Sequence, residues 1–244
     1  MSEISQVENS EVDLSNMVEL VDTLKPLLER LKPHIENGEY SILISDETSA
    51  RIPTLIVRNI VNNIYRKKGT KSIDALFVLG KYGREHGKEQ RERDKMLTPE
   101  LNRRLEIIRK SNPNKKALIV TELIKGGWNV GSISELLDDL GMPHDIAALR
   151  MDRTVDDIQV TRAEYQYKPL APKGEVFYGK IGTGIPIGSV EDDNIKGVFN
   201  KRDAGDKPSY DITAIRDTSV RPITLEARKQ VALLSASLIK QLKI

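Results

Sequence analysis

Glu122, Gly126 and Gly127 stand just ahead of a helix-forming run in Lys116 to Gly141, KALIVTELIKGGWNVGSISELLDDLG. Glycines at such a junction let backbone N–H groups approach an anion, and the positive end of the following helix dipole adds roughly half a unit charge. The chemistry this serves is anion binding at the end of a strand. A tight connection that uses glycine only for its backbone angles is the alternative, and both readings stand at this level. A second polar turn, SDETSAR at Ser45 to Arg51, offers the hydroxyls of Ser45, Thr48 and Ser49, free helix N–H groups and the Arg51 guanidinium, a set suited to phosphate. Asp46 or Glu47 in the same turn also suits the cap of the helix that follows. A third segment, GKYGREHGKEQRERDK at Gly80 to Lys95, alternates basic with acidic side chains. It reads as a solvated loop, as a frayed surface helix with i,i+4 ion pairs, or as a mobile lid after a strand.

Other groups point to less. His34, His86 and His144 lack metal-ligand spacing and read as structural or exposed residues. Asp138 with Asp139 and Asp156 with Asp157 are paired carboxylates, the first pair at a helix end that suits solvated surface, and Glu191 to Asp193 reads as an acidic turn suited to a cation or as a plain loop. GTGIPIG at Gly182 to Gly188 is not followed by an amphipathic helix, so it does not make a dinucleotide site.

Periodicity supplies the elements that must position these residues. Leu14, Met17, Val18, Val21, Leu24, Leu28 and Leu31 fall at helical spacing, with Pro26 and Pro33 predicting a kink or two pieces. Tyr40 to Ile44, Ala75 to Leu79, Ala117 to Val120 and Asp145 to Leu149 read as strands. Helices are predicted between them: one after Arg51, one from Thr98 to about Asn112, and one opened by Ser132 and stopped at Gly141. Val176 to Lys180 and Gly197 to Asn200 suggest further short strands, and Thr224 caps a C-terminal helix. Strands alternating with helices imply a parallel, Rossmann-like α/β sheet with right-handed crossovers.

Composition narrows the function classes. The chain of 244 residues has no cysteine, which excludes disulfides, thiolate metal sites and cysteine nucleophiles. The first dozen residues are polar and acidic, and no uncharged apolar run reaches the roughly 20 residues of a membrane span, so a soluble, cytoplasmic protein is expected without a membrane partner. A net charge of +2 gives no general case for nucleic-acid binding, and the few aromatics are not interleaved with basic residues as in a stacking platform. Any electrostatic argument must be local.

The order of strands and loops over roughly residues 40 to 150 resembles the type I phosphoribosyltransferase fold. Its most telling motif is ALIVTELIKGGWNVGSISELLDDLG, similar to the family's strand, paired acids, two apolar residues, phosphate turn and helix. The resemblance implies that Glu122 stands at the second of the family's acids, which hold ribose hydroxyls, while Thr121 replaces the first. Lys125, Gly126, Gly127, Trp128 and Asn129 replace the family's hydroxyl-rich turn and would receive a 5′-phosphate. Thr48, Ser49 and Arg51 would contact pyrophosphate, and Gly80 to Lys95 would be the flexible loop, with Lys81 and Arg84 neutralising the leaving group. The ligand implied is phosphoribosyl diphosphate (PRPP) with Mg²⁺, or another ribose phosphate or nucleotide. A non-catalytic, nucleotide-sensing member acting through a partner or as a homodimer is the alternative. The expected organisation is a disordered tail over 1–12, a helical segment over 13–36, the α/β core over 37–170, and hood-like strands with a packing C-terminal helix over 171–244.

Overall fold

Apolar strands that are buried on both faces need helices on both sides, and that requirement shapes this chain. The computed structural model describes residues 15–45, 50–77, 88–124, 128–151, 160–161, 167–168, 174–181, 198–199, 215–216 and 221–244. In order these form α1 (Ser15–Glu36), β1 (Tyr40–Ser45), α2 (Arg51–Lys67), β2 (Asp74–Phe77), α3 (Lys88–Ser111), β3 (Lys116–Ile124), α4 (Trp128–Asp139) and β4 (His144–Met151). Two residue pairs, β5 (Val160–Thr161) and β6 (Tyr167–Lys168), precede β7 (Val176–Ile181). Another two, β8 (Val198–Phe199) and β9 (Ile215–Arg216), precede α5 (Arg221–Gln241).

The central sheet has the order β2-β1-β3-β4-β7, and every pairing in it is parallel. Alternation along the strands divides the core into two layers. Leu43, Leu118, Val120, Ala147 and Leu149 face α1, α2 and α5; Ile42, Ile44, Ala117, Ile119, Ile146 and Ala148 face α3 and α4. The helix between β1 and β2 and those that follow β2 and β3 therefore lie on opposite faces, as right-handed crossovers require when the chain reverses its direction across the sheet. The expected Rossmann-like α/β class is thus what the chain adopts. No helix among the described residues is long and apolar enough to cross a membrane.

Several boundaries differ from those read in the sequence, each for a physical reason. α1 runs unbroken through Pro26 and Pro33. Leu20, Leu24, Leu27, Leu28 and Leu31 on it are fully buried, and burial of about 1.5–3 kcal/mol per large apolar side chain offsets a main-chain bond lost at proline. α3 begins at Lys88, ten residues before Thr98, so Pro99 lies inside it and half of the charged Gly80 to Lys95 segment is helix. α4 begins at Trp128 instead of Ser132, and α5 at Arg221 instead of Thr224. β3 continues to Ile124, which puts Thr121 and Glu122 on the strand and not in the turn. β7 pairs with β4, so the central sheet extends to Ile181, past the boundary expected at 170. The stop at Gly141 holds: with φ of 63°, it donates to the Asp138 carbonyl while Met142 N–H reaches back to Leu137, a Schellman closure that only glycine enters without strain.

α1 approaches β7 closely because of one residue. A Cβ on Gly179 would lie 2.2 Å from the Thr23 carbonyl oxygen of α1 and 2.7 Å from that of Leu149. Both obstacles are main chain and cannot rotate away. Gly179→Ala is expected to push α1 off the sheet and destabilise the fold by about 1–3 kcal/mol, the range for overpacking. Urea denaturation measures this; an unchanged midpoint would show that α1 is not held at this distance.

Candidate functional site

In a doubly wound sheet the loops after neighbouring strands diverge where the strand order reverses, and the crevice between them takes ligands. Here the reversal lies between β1 and β3, because β1 leads through α2 to β2 on one side and the chain returns through α3 to β3 on the other. Register sets the level of that edge: Ser45 at the end of β1 pairs with Phe77 of β2 and with Val120 of β3. Thr121 and Glu122 follow one and two residues beyond, and Arg51 opens α2 with its guanidinium 4.5 Å from the centroid of the Phe77 ring. Ser45 is fully buried, Thr121 is 1% exposed and Glu122 5%. Burying a carboxylate costs several kcal/mol unless it is partnered, and Ser45, Arg51, Thr121 and Glu122 all have interactions within the chain.

The sequence-predicted residues thus divide. Arg51, Thr121 and Glu122 share the carboxyl edge of the sheet, and Trp128 and Asn129 form the first turn of α4 on that edge, later in the fold than the turn expected for them. Thr48, Ser49, Lys81, Arg84, Lys125, Gly126 and Gly127 lie outside the described residues, as do Asp46 and Glu47. The N-cap position of α2 is Ala50, whose methyl group gives no side-chain hydrogen bond to the helix. For Mg²⁺, a hard cation that takes one or two carboxylates plus phosphate and water, Glu122 is the one carboxylate among the predicted site residues described.

The opposite edge holds a network that the sequence reading passed over. Asp145, fully buried on β4, accepts from the Tyr40 hydroxyl at 3.0 Å, the Lys116 ammonium at 3.1 Å and the Glu175 backbone N–H at 2.9 Å. Lys116 also lies 3.4 Å from Glu39, which is met as well by the His34 ring at 3.0 Å and the Asn37 amide at 3.4 Å. The Tyr65 hydroxyl donates to the Tyr40 carbonyl at 2.9 Å and accepts from its N–H at 3.0 Å, beside the register shift between Tyr40 and Ile42. The signal was present: one aspartate inside the otherwise apolar run DIAAL.

His34, Glu39 and Asp145 offer ligand atoms within 4.8 Å of one another, a spacing that a metal ion accepts. The Lys116 ammonium already lies against both carboxylates, so the cation of this cluster is supplied by the chain. A second buried pair joins the Ser134 hydroxyl to His144 Nε2 at 2.7 Å; Nδ1 faces the Met142 carbonyl at 3.3 Å, with Asp138 at 4.0 Å. The carbonyl only accepts, so Nδ1 carries the proton and Nε2 accepts from serine. That is a nucleophile-and-base arrangement in form, but Ser134 is fully buried and His144 1% exposed, which denies it a substrate. His144 is the structural residue expected.

Ionisation follows the network. Burial alone would raise the Glu39 carboxyl, but hydrogen bonds from His34, Asn37 and Lys116 hold it below its ordinary value. Burial would lower Lys116, and its contacts with Asp145 and Glu39 outweigh that and raise it. Burial, then the Asp145 charge, drives the Tyr40 phenol far above its ordinary range, and burial pushes Tyr65 up to about 12. The acidic carboxyl of Glu39 therefore stabilises the fold above its unfolded value of about 4.3, and this is lost as pH falls. Lys116, Tyr40 and Tyr65 stabilise it below about pH 10, and this is lost as pH rises through their folded values.

Base titration is expected to show the tyrosinate absorbance of Tyr40 and Tyr65, two of seven tyrosines, appearing together with loss of helical circular dichroism. Smooth ionisation of all seven in the folded protein would contradict their burial. Lys116→Met leaves Asp145 without a countercharge and is expected to cost about 3 kcal/mol, the lower end for breaking a buried pair because the lysine is partly exposed. A denaturation midpoint equal to that of the parent protein would refute the role given to the ammonium.

Compared with known proteins, the chain matches no protein-family model and no curated protein.

Proposed function

We propose that this is a phosphoribosyltransferase-like protein that binds PRPP, another ribose phosphate or a nucleotide at the carboxyl edge of β1 and β3. The observation that carries the reading is the Glu122 carboxylate, 5% exposed, fixed on a strand next to the reversal of strand order. A carboxylate held there before the ligand arrives is placed to accept hydrogen bonds from ribose hydroxyls. The backbone of Lys125 to Asn129 at the start of α4 would receive the 5′-phosphate, and Thr48, Ser49 and Arg51 at the start of α2 the second phosphate group. If transfer occurs, the bond from the anomeric carbon to pyrophosphate breaks as a base nitrogen bonds to that carbon, and Lys81 and Arg84 would offset the departing charge. Mg²⁺, held by the diphosphate with Glu122 as a nearby oxygen donor, would supply charge neutralisation of the leaving group.

Thr121 favours a second reading. It is 1% exposed and occupies the position of the family's first acid, so only one carboxylate remains for the ribose. A cytoplasmic nucleotide-binding protein without transferase activity, working as a homodimer or through a partner, fits that loss.

Thermal unfolding with PRPP and Mg²⁺, with ribose 5-phosphate and with common nucleotides tests both. A ligand at about 100 times its dissociation constant stabilises the fold by about 2.7 kcal/mol. A Mg²⁺-dependent shift with PRPP, abolished in Glu122→Gln and accompanied by pyrophosphate release when a base is supplied, is the transferase outcome. A shift with nucleotides and none with PRPP is the sensor outcome. No shift with any of them would sink both.

A further inference from the structure

The pole of the molecule opposite the proposed ligand edge carries charge that the ribose-phosphate reading does not use. Six cationic side chains surround the end of α2: Arg66, Lys67 and Lys68 at its last turn, Lys71 in the turn beyond, Lys115 just ahead of β3, and Lys243 just past α5. Contacts on the page gather them. Lys67 Nζ donates to the α-carboxylate oxygen of Ile244 at 2.7 Å, Lys68 Nζ to the Glu36 carbonyl at 2.6 Å, and Lys115 Nζ lies 5.6 Å from the centroid of the Tyr65 ring. The last two partners are neutral groups. Among the described residues, the side-chain ion pairs join other groups, and apart from Lys67 on Ile244 none of the six is matched with a carboxylate.

The C-terminal ends of α1, α2 and α5 meet here and each takes back about half a charge. Exposed Asp74 and the Ile244 carboxylate take one more each, while Glu36 is already occupied by Lys32 at 3.9 Å. What remains is a local excess of about two positive charges around the end of α2. The large exposed apolar side chains, Ile107, Ile181 and Leu233, belong to other parts of the described structure, and Tyr65 and Leu242 at the pole are buried. A surface with cations and neither an exposed aromatic nor an apolar wedge fits a repeating phosphate backbone and offers nothing to read bases or enter lipid. We propose that this pole docks the sugar-phosphate backbone of double-stranded nucleic acid without regard to sequence. The inference is independent of the ligand reading at the other edge.

The test is anisotropy of a short labelled DNA duplex titrated with the full chain. With four phosphate contacts, affinity should fall about 150-fold between about 50 and 200 mM salt. The triple variant Arg66→Gln, Lys71→Gln, Lys243→Gln leaves the contacts of Lys67 and Lys68 in place and should lower the slope of log affinity on log salt by about 2.7. Lys180→Gln, Arg228→Gln, Lys229→Gln removes as many exposed cations elsewhere and should leave that slope near the parent value. Circular dichroism melting checks that both variants fold. Three results would overturn the proposal: no binding by the parent protein at low salt, equal losses in the two variants, or capture by phosphatidylserine vesicles in preference to the duplex.

Discussion

Asp145 sets a carboxyl group where water does not reach, and the amino ends of the strands are arranged to make that tolerable. A carboxylate in such a place needs its oxygens filled, and they are filled from three strands at once: Tyr40 of β1, Lys116 of β3 and the backbone just ahead of β7. Each of these groups is useful to Asp145 only if its strand is in the observed register. A slip of one residue in β1 or β3 would turn Tyr40 or Lys116 to the other face and strand the carboxyl group. The polar node thus selects one alignment of an apolar sheet that burial alone would fix less sharply. Through Glu39 and His34 the same node reaches the end of α1, whose ring also meets Phe177 of β7 edge-on at 5.0 Å.

The two ends of the sheet carry different kinds of polar burial. At the amino edge the buried polar groups are satisfied by one another, and Lys116 fills the place a metal would take. At the carboxyl edge Ser45, Thr121 and Glu122 are buried at the ends of strands from which loops depart to opposite faces. These residues have interactions within the chain, which offset the cost of taking their polar groups out of water.

Local pattern was enough for the parts of the fold governed by local physics. The four central strands, the parallel crossovers and the stop at Gly141 follow from apolar runs, helical spacing and a glycine, all visible in the chain. What escaped was decided by tertiary burial. Pro26 and Pro33 read as breaks because the sequence does not show that five leucines of α1 would be fully enclosed. Pro99 read as a helix start because it is at home in a first turn, yet α3 had already run eleven residues. β7 was set apart from the core because its partner β4 lies 25 residues earlier and strand pairing at that separation leaves no periodic trace. The strand that carries Glu122 and the helix that Arg51 opens were legible from apolar runs and helical spacing, whereas the Asp145 network was not, because its members come from five separate elements and the connections between them.

The polarity of a parallel α/β fold explains why its two ends differ in charge. Helices that follow parallel strands present their N-termini at the carboxyl edge, where free N–H groups and the positive dipole ends favour anions. Ala50 at the N-cap of α2 leaves that tendency uncompensated by its own side chain. The C-termini of α1, α2 and α5 collect at the other pole, where the dipoles are negative and the exposed carbonyls need donors. Lys68 provides one for the Glu36 carbonyl and Lys32 another for the Leu242 carbonyl at 3.0 Å, while Lys67 meets the carboxylate of Ile244. An ammonium has three N–H groups and one carbonyl engages one of them, so each lysine recruited to finish a helix keeps most of its charge and donor capacity facing solvent. A basic surface at that pole is therefore a by-product of ending three helices together, and Arg66, Lys71 and Lys243, which cap none of those three ends through side-chain hydrogen bonds, are the residues that carry it beyond what helix closure requires.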